Sequence, residues 1–144
     1  MPNGFMRVEM LPALHGDSIV VEYGNETSTK RLLIDGGPIG AFDALRSRVG
    51  NRDFELFVLT HVDGDHIEGL VRLLAEPRPW PFKVKDVWFN GWRHIQEPAQ
   101  TLGPLQGEYF SALLSQRLKA GSWNGAFKGG PVVVHPEGPL PKRT

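Results

Sequence analysis

A short apolar strand that feeds directly into an amphipathic helix restricts the folds open to this chain. Residues 56–59, LFVL, read as a buried strand, and Ile67, Leu70, Val71 and Leu74 then fall at i, i+3, i+4 and i+7, the stripe of a helix with one face in a core. Upstream, residues 5–11 and 18–23 are rich in β-branched and large apolar side chains, with the turn pair Gly16-Asp17 between them. The polar stretch 24–30 reads as a hairpin loop leading to a third strand at 31–34, which Asp35-Gly36-Gly37-Pro38 ends sharply. Ala41, Leu45 and Val49, with Phe42, predict a short helix stopped by Gly50. Downstream, the pattern predicts a strand at 85–89, a turn at Asn90-Gly91, a helix over 107–118 with Gly121 as its cap, and a last strand at 132–134. An initial antiparallel run followed by alternating strands and helices points to a mixed α/β sandwich rather than a purely parallel sheet.

Composition agrees with one globular domain. The 144 residues are 40% hydrophobic and 22% charged, enough apolar content for a real core. Sixteen basic residues balance sixteen acidic ones, so no net positive field gathers nucleic acid or holds an anionic membrane. Without cysteine, any metal must be held by His, carboxylate, carbonyl or water. The N-terminal stretch has no clear cleavage site and no apolar run reaches bilayer length, so the expectation is a cytoplasmic protein with no membrane partner.

Between the buried strand and its helix lies THVDGDH, residues 60–66, with two imidazoles and two carboxylates in six consecutive positions. In an extended segment His61, Asp63 and Asp65 fall at i, i+2 and i+4 and can converge on one side, while His66 starts the helix. Imidazole and carboxylate suit Zn, Mn or Fe ions. A second reading is equally consistent with the spacing: Asp65 and Glu68 have the form of a helix capping box and Asp63-Gly64 that of a turn, which needs no metal.

HVDGDH resembles the metallo-β-lactamase superfamily motif HxHxDH, with Asp63 in place of the second His. HGDSIVVEY at 15–23, LLIDGG at 32–37 and THVDGDHIEGL at 60–70 occur in that family's order. The variant is particularly similar to the metallo-β-lactamase domain of competence-type DNA-uptake proteins and to uncharacterised bacterial hydrolases. The resemblance implies an αββα sandwich with a metal site at the edge of its sheets. It implies that His61 and Asp63 match ligands of a first divalent ion and Asp65 and His66 ligands of a second. Asp65 would also orient a bridging hydroxide that attacks a phosphodiester, ester or amide. Zn is the first expectation for the cofactor, with Mn or Fe made competitive by the harder Asp63. Asp35, closing LLID, and Asp17, in HGDS, would support the motif loop from behind the ligands; Asp35 can equally be a turn residue before Gly-Gly.

The family domain has two related halves, and the second supplies another His, a bridging Asp and usually a last His. This sequence matches the first half, and its later motifs are not recognisable: His94 and His135 are the only later histidines and Asp86 the only later Asp. For His94, satisfaction by backbone is the commoner role, and His135 starts a Pro-rich tail. The expectation is therefore a single partial domain over 1–144, truncated to the N-terminal half. Such a half leaves a sheet face or edge uncovered, which favours self-association or a partner supplying the missing half. Two functions follow: a metal-dependent hydrolase acting on a small-molecule or phosphodiester substrate, or a non-catalytic half-domain that works by association or is inactive alone. Trp80, Trp88, Trp92 and Trp123 could stack on bases, but packing in a core or interface is the commoner role.

Overall fold

The computed structural model describes residues 3–95 and 105–133. They form a five-stranded mixed sheet with strand order β1-β2-β3-β4-β5. Strands β1 (Phe5–Met10), β2 (Ile19–Asn25) and β3 (Ser28–Ile34) pair antiparallel, while β4 (Asp53–Val58) and β5 (Lys83–Trp88) continue the sheet in parallel. Helix α1 (Phe42–Val49) crosses from β3 to β4, α2 (Gly64–Leu74) from β4 to β5, and α3 (Leu105–Arg117) packs beside α2. This is the mixed α/β architecture that the alternation predicts. Among the described residues there is one sheet with its helices on one face, two of the four layers expected.

Alternation along the strands explains the layering. Val20, Leu33, Phe57 and Val87 lie side by side in register, point to the helix face and are fully buried. Leu45 and Val49 of α1, and Ile67, Leu70, Leu73 and Leu74 of α2, fill the same core. Gly50, at φ 52°, closes α1 and donates its N–H to the Arg46 carbonyl at 3.0 Å, so the predicted stop is where the helix ends.

Several boundaries differ from the sequence reading, two of them through a hydrogen bond that hydropathy does not display. The polar stretch 24–30 is mostly strand, because Asn25 Oδ1 accepts from the Thr27 and Ser28 N–H groups, each at 3.0 Å, and turns the chain in two residues. No strand forms at Val132 and Val133; the Asn90 amide bridges both backbone groups of Val132 instead, at 2.7 and 2.9 Å. Val134 lies outside the described residues. Gly121 does not cap α3, which ends at Arg117, four residues earlier.

One ion cluster ties the helix layer to the sheet. The buried Glu22 carboxylate accepts from Arg48 Nη2 and Arg31 Nε, both at 2.9 Å, and Arg48 Nε also reaches Glu9 at 2.8 Å. The Arg48 hydrogen bond, opposed by burial and reinforced by Arg31, holds the Glu22 carboxyl below its ordinary value. A depressed carboxyl contributes stability above its unfolded-state pKa and loses that contribution as pH falls through the folded one. Denaturant melts should therefore show stability declining as pH drops below about 4.5, with a shallower decline in Glu22→Gln. An identical acid limb in the variant would show that the cluster is not responsible.

Candidate metal centre

The motif loop lies at the carboxyl ends of the parallel strands, where α/β folds place their ligand sites. Asp35 organises it. Its backbone sits in the left-handed region at φ 60°, its N–H donates to the Val58 carbonyl at 2.8 Å, and its carboxylate is buried behind the loop. That carboxylate accepts the Thr60 N–H at 2.8 Å, the Thr60 hydroxyl at 2.6 Å and His66 Nδ1 at 2.8 Å. Both ends of the motif thus hang on one side chain.

His66 is buried at the start of α2. Burial works to lower its pKa, but the hydrogen bond and charge of Asp35, with Asp65 and Asp17 behind it, outweigh burial and hold it above the ordinary histidine value. With Nδ1 committed to Asp35, Nε2 is the free face of the ring, 3.6 Å from Asp65 Oδ2. The exposed His61 ring lies 3.7 Å from the His66 ring, centroid to centroid, and its Nδ1 is 3.4 Å from Asp63 Oδ2. Asp17 Oδ2 stands 3.8 Å from His66 Nδ1, a looser neighbour than Asp35.

The capping-box reading of this segment is overturned. Asp63, in extended backbone, is the N-cap, with its carbonyl accepting from the His66 and Ile67 N–H groups at 2.9 and 3.0 Å and no side-chain cap. Asp65 is inside the first turn, so the chain is not extended through it as the i, i+2, i+4 argument requires. Glu68 leaves its own helix to accept the Ile39 N–H at 2.7 Å.

Backbone contacts fix the loop's height. Gly36 donates to the His66 carbonyl at 2.8 Å and Gly69 to the Gly37 carbonyl at 2.9 Å. A Cβ on Gly69 would run into the Gly36 carbonyl, and one on Gly16 into the Asp65 carbonyl. From the sequence Gly16 and Gly36 read only as turn residues, and Gly69 had no assigned role; a glycine inside a helical stripe is the signal that marks it.

Other candidates fall elsewhere. His94 is engaged by backbone, its Nδ1 accepting from the Gly91 N–H and its Nε2 lying 3.1 Å from the Gly129 carbonyl, with burial lowering its pKa. His15 is exposed and shares a cleft with Asp65 and Glu68. Trp123 is core, and Trp80 stacks on Phe82 at 5.1 Å. His135 lies outside the described residues.

The donor chemistry fits divalent metal, and so does the orientation of His66, since a carboxylate behind one ring nitrogen is what aims the other at an ion. Two ligand atoms on a tetrahedral ion with bonds of about 2.0–2.1 Å are roughly 3.3 Å apart. The His61–Asp63 and His66–Asp65 separations come close to that. Among the described residues, however, no group of three or more His, Cys, Asp or Glu stands positioned to hold an ion, so the motif offers two pairs rather than a closed site.

A mixed α/β sheet with an imidazole and carboxylate cluster at its carboxyl edge defines a class of α/β proteins that site polar chemistry at strand ends. The chain belongs to the metallo-beta-lactamase superfamily, whose family model matches residues 11–141. That superfamily generally binds divalent metals. Comparison with curated proteins and with solved structures found no match. No described helix is long and apolar enough to cross a membrane.

Proposed function

We propose that this chain is a metal-dependent hydrolase acting on a phosphodiester, with His61, Asp63, Asp65 and His66 as the metal-holding residues. The observation that carries the reading is the pair of pairs, His61 with Asp63 and Asp65 with His66, set close to ligand spacing, with His66 aimed by Asp35. The likeness of HVDGDH to competence-type domains supports the phosphodiester class, and Zn, with Mn or Fe as competitors, suits these N and O donors. Chemistry supplied by such ions, when bound, is Lewis-acid polarisation of the substrate and activation of water.

The chain's own residues divide the remaining work. Asp35 fixes the His66 tautomer and ring plane, and Asp17 adds negative charge on the same side. Asp65, partly exposed between His66 and the cleft shared with His15, orients the attacking water with its carboxylate. A recess of about 470 Å3 beside His61, lined by Val58, Val62, Trp88 and Ile95, receives the apolar part of the substrate. A cytoplasmic location belongs to the same proposal.

The test is turnover of a chromogenic phosphodiester by purified protein with added Zn or Mn. Asp65→Ala should lower metal-dependent turnover by about 100-fold or more while the thermal melt stays near that of the wild type. Unchanged turnover would sink the mechanism. The missing third donor among the described residues favours a second reading, a domain active only when further donors are supplied. Folded wild type with no turnover under any of these metals would select it.

A further inference from the structure

Residues 121–130, GSWNGAFKGG, form a glycine-rich loop after α3 to which metal-dependent hydrolysis gives no role. Buried side chains pin it. Asp86 accepts from the Gly125 N–H at 2.9 Å and the Ala126 N–H at 3.3 Å, and the Asn124 amide donates to the Phe89 and Gly130 carbonyls, each at 3.0 Å. So held, the chain carries Lys128 at φ 55° and Gly129 at φ 78°, and for lysine the left-handed region costs about 1 kcal/mol or more. The loop fixes where this lysine leaves the backbone.

A cleft of about 520 Å3 opens between the loop and the C-terminal end of α3, on the helix side of the sheet. Arg93, Lys119 and Lys128 line it, and no carboxylate does. The Arg93 guanidinium stands 3.9 Å over the Trp123 ring, whose indole N–H is anchored to the Phe89 carbonyl at 2.9 Å. Its donors are unspent. His94 Nδ1 accepts from the Gly91 N–H, so the ring hydrogen of the neutral imidazole is on Nε2. Nε2 donates it to the Gly129 carbonyl at 3.1 Å and cannot also accept from Arg93 Nε, 3.3 Å away. Lys119 and Lys128 likewise have no side-chain partner among the described residues.

Three cations gathered without a counter-charge repel one another, and an anion set among them relieves that cost. Lys119 also borders the neighbouring cleft, where Arg78, Lys83 and Lys85 outnumber Asp53. In a chain of zero formal net charge, this positive end is a local feature. We propose that the cleft between α3 and the glycine-rich loop is a binding site for a phosphoryl group. A carboxylate would offset one of the three cations, whereas a phosphomonoester carries nearly two negative charges at pH 7 and a diphosphate more. The guanidinium fork matches phosphate oxygens in pairs, and its stacking on Trp123 holds that fork in place. A Cβ on Gly121 or Gly129 would meet nothing within 4 Å, so these two lining glycines leave the approach to the backbone open. Leu114 and Leu118 on the α3 wall give apolar surface to an organic group attached to the phosphate.

The site uses no residue of the metal motif, so its test needs no turnover and is run with chelator present. Calorimetric titration of the full chain at low salt with inorganic pyrophosphate should show saturable binding with a Kd below about 1 mM. Arg93→Gln and Lys128→Gln replace exposed side chains, so the fold should survive, as circular dichroism would confirm. Each should weaken binding by about tenfold or more, the loss of one charge-assisted contact. Lys30→Gln removes the same charge from the distant β2–β3 hairpin and should leave binding within about twofold. Adenosine diphosphate, titrated alongside, separates the two sources of a phosphoryl group: equal affinity supports a site for the free oxyanion, and tighter binding supports an organic phosphate seated on Leu114 and Leu118. Folded wild type that binds neither probe at about 10 mM overturns the proposal. So does an equal loss in Lys30→Gln, which would show that net charge and not this cleft attracts the anion.

Discussion

Asp35→Ala should destabilise the protein by about 3–5 kcal/mol in urea titration, a large part of a typical domain's stability. The carboxylate is buried and takes three hydrogen bonds, from the Thr60 N–H, the Thr60 hydroxyl and His66 Nδ1. Alanine leaves all three donors without their acceptor, and the imidazole, whose pKa is held up chiefly against burial by this partner, loses its nearest negative charge. The backbone adds to the cost, since φ 60° is a conformation that alanine disfavours by roughly 1 kcal/mol or more. Asp35→Asn should lose less, because asparagine tolerates the left-handed region and its Oδ1 can still accept from the Thr60 N–H. A loss below about 1 kcal/mol in the alanine variant would mean that something other than Asp35 holds the motif loop.

Gly69→Ala should cost about 3 kcal/mol, although helix propensity alone favours alanine by about 1 kcal/mol at a helix interior. The sign is decided by contact. Gly69 lies where α2 crosses the turn after β3, and a methyl group there meets the Gly36 carbonyl, a backbone atom that cannot swing aside. The two segments are stitched by the Gly69 N–H to the Gly37 carbonyl at 2.9 Å, so separating them by the width of a methyl breaks that bond and loosens the Gly36 bond to His66. Thermal melts compare the variant with Gly64→Ala, in the same helix, whose added methyl meets mainly the movable Glu68 side chain. Equal or higher stability for Gly69→Ala would show that the turn and helix separate without cost.

These two positions mark where sequence reasoning stops. The stripe of Ile67, Leu70, Val71 and Leu74 and the alternation around Val20 and Leu33 are local patterns, so that helix and those strands could be read from them, whereas the αββα layering was implied only by the family resemblance. The position of THVDGDH between strand and helix followed from the same periodicity. What Glu68 binds could not follow: a carboxylate three residues after Asp65 suggests a cap, and only the fold brings the Ile39 N–H, twenty-nine positions away, within 2.7 Å. The same holds for Asn90, which captures Val132 across forty-two residues and pre-empts the strand that its apolar neighbours suggested. The candidate site was legible in its residue types, while its grouping into two pairs was implied by the family resemblance and not by the spacing. Its geometry was not legible, because α2 begins at Gly64 and coils Asp65 out of the extended segment that would have carried it. Asp35 stands between these cases: its context reads as a turn or, through the family resemblance, as support behind the motif loop, and only the sheet identifies Thr60 and His66 as what it holds.

The central claim, that the His61 and His66 cluster is a metal centre, is tested most directly by metal content per chain. Plasma mass spectrometry would be run on folded protein purified without chelator, on wild type and on His61→Ala. The expected result is at least about one equivalent of Zn, Mn or Fe in the wild type, substantially lost in the variant. Folded wild type with no bound metal, before and after incubation with Zn and removal of the excess, would contradict the claim.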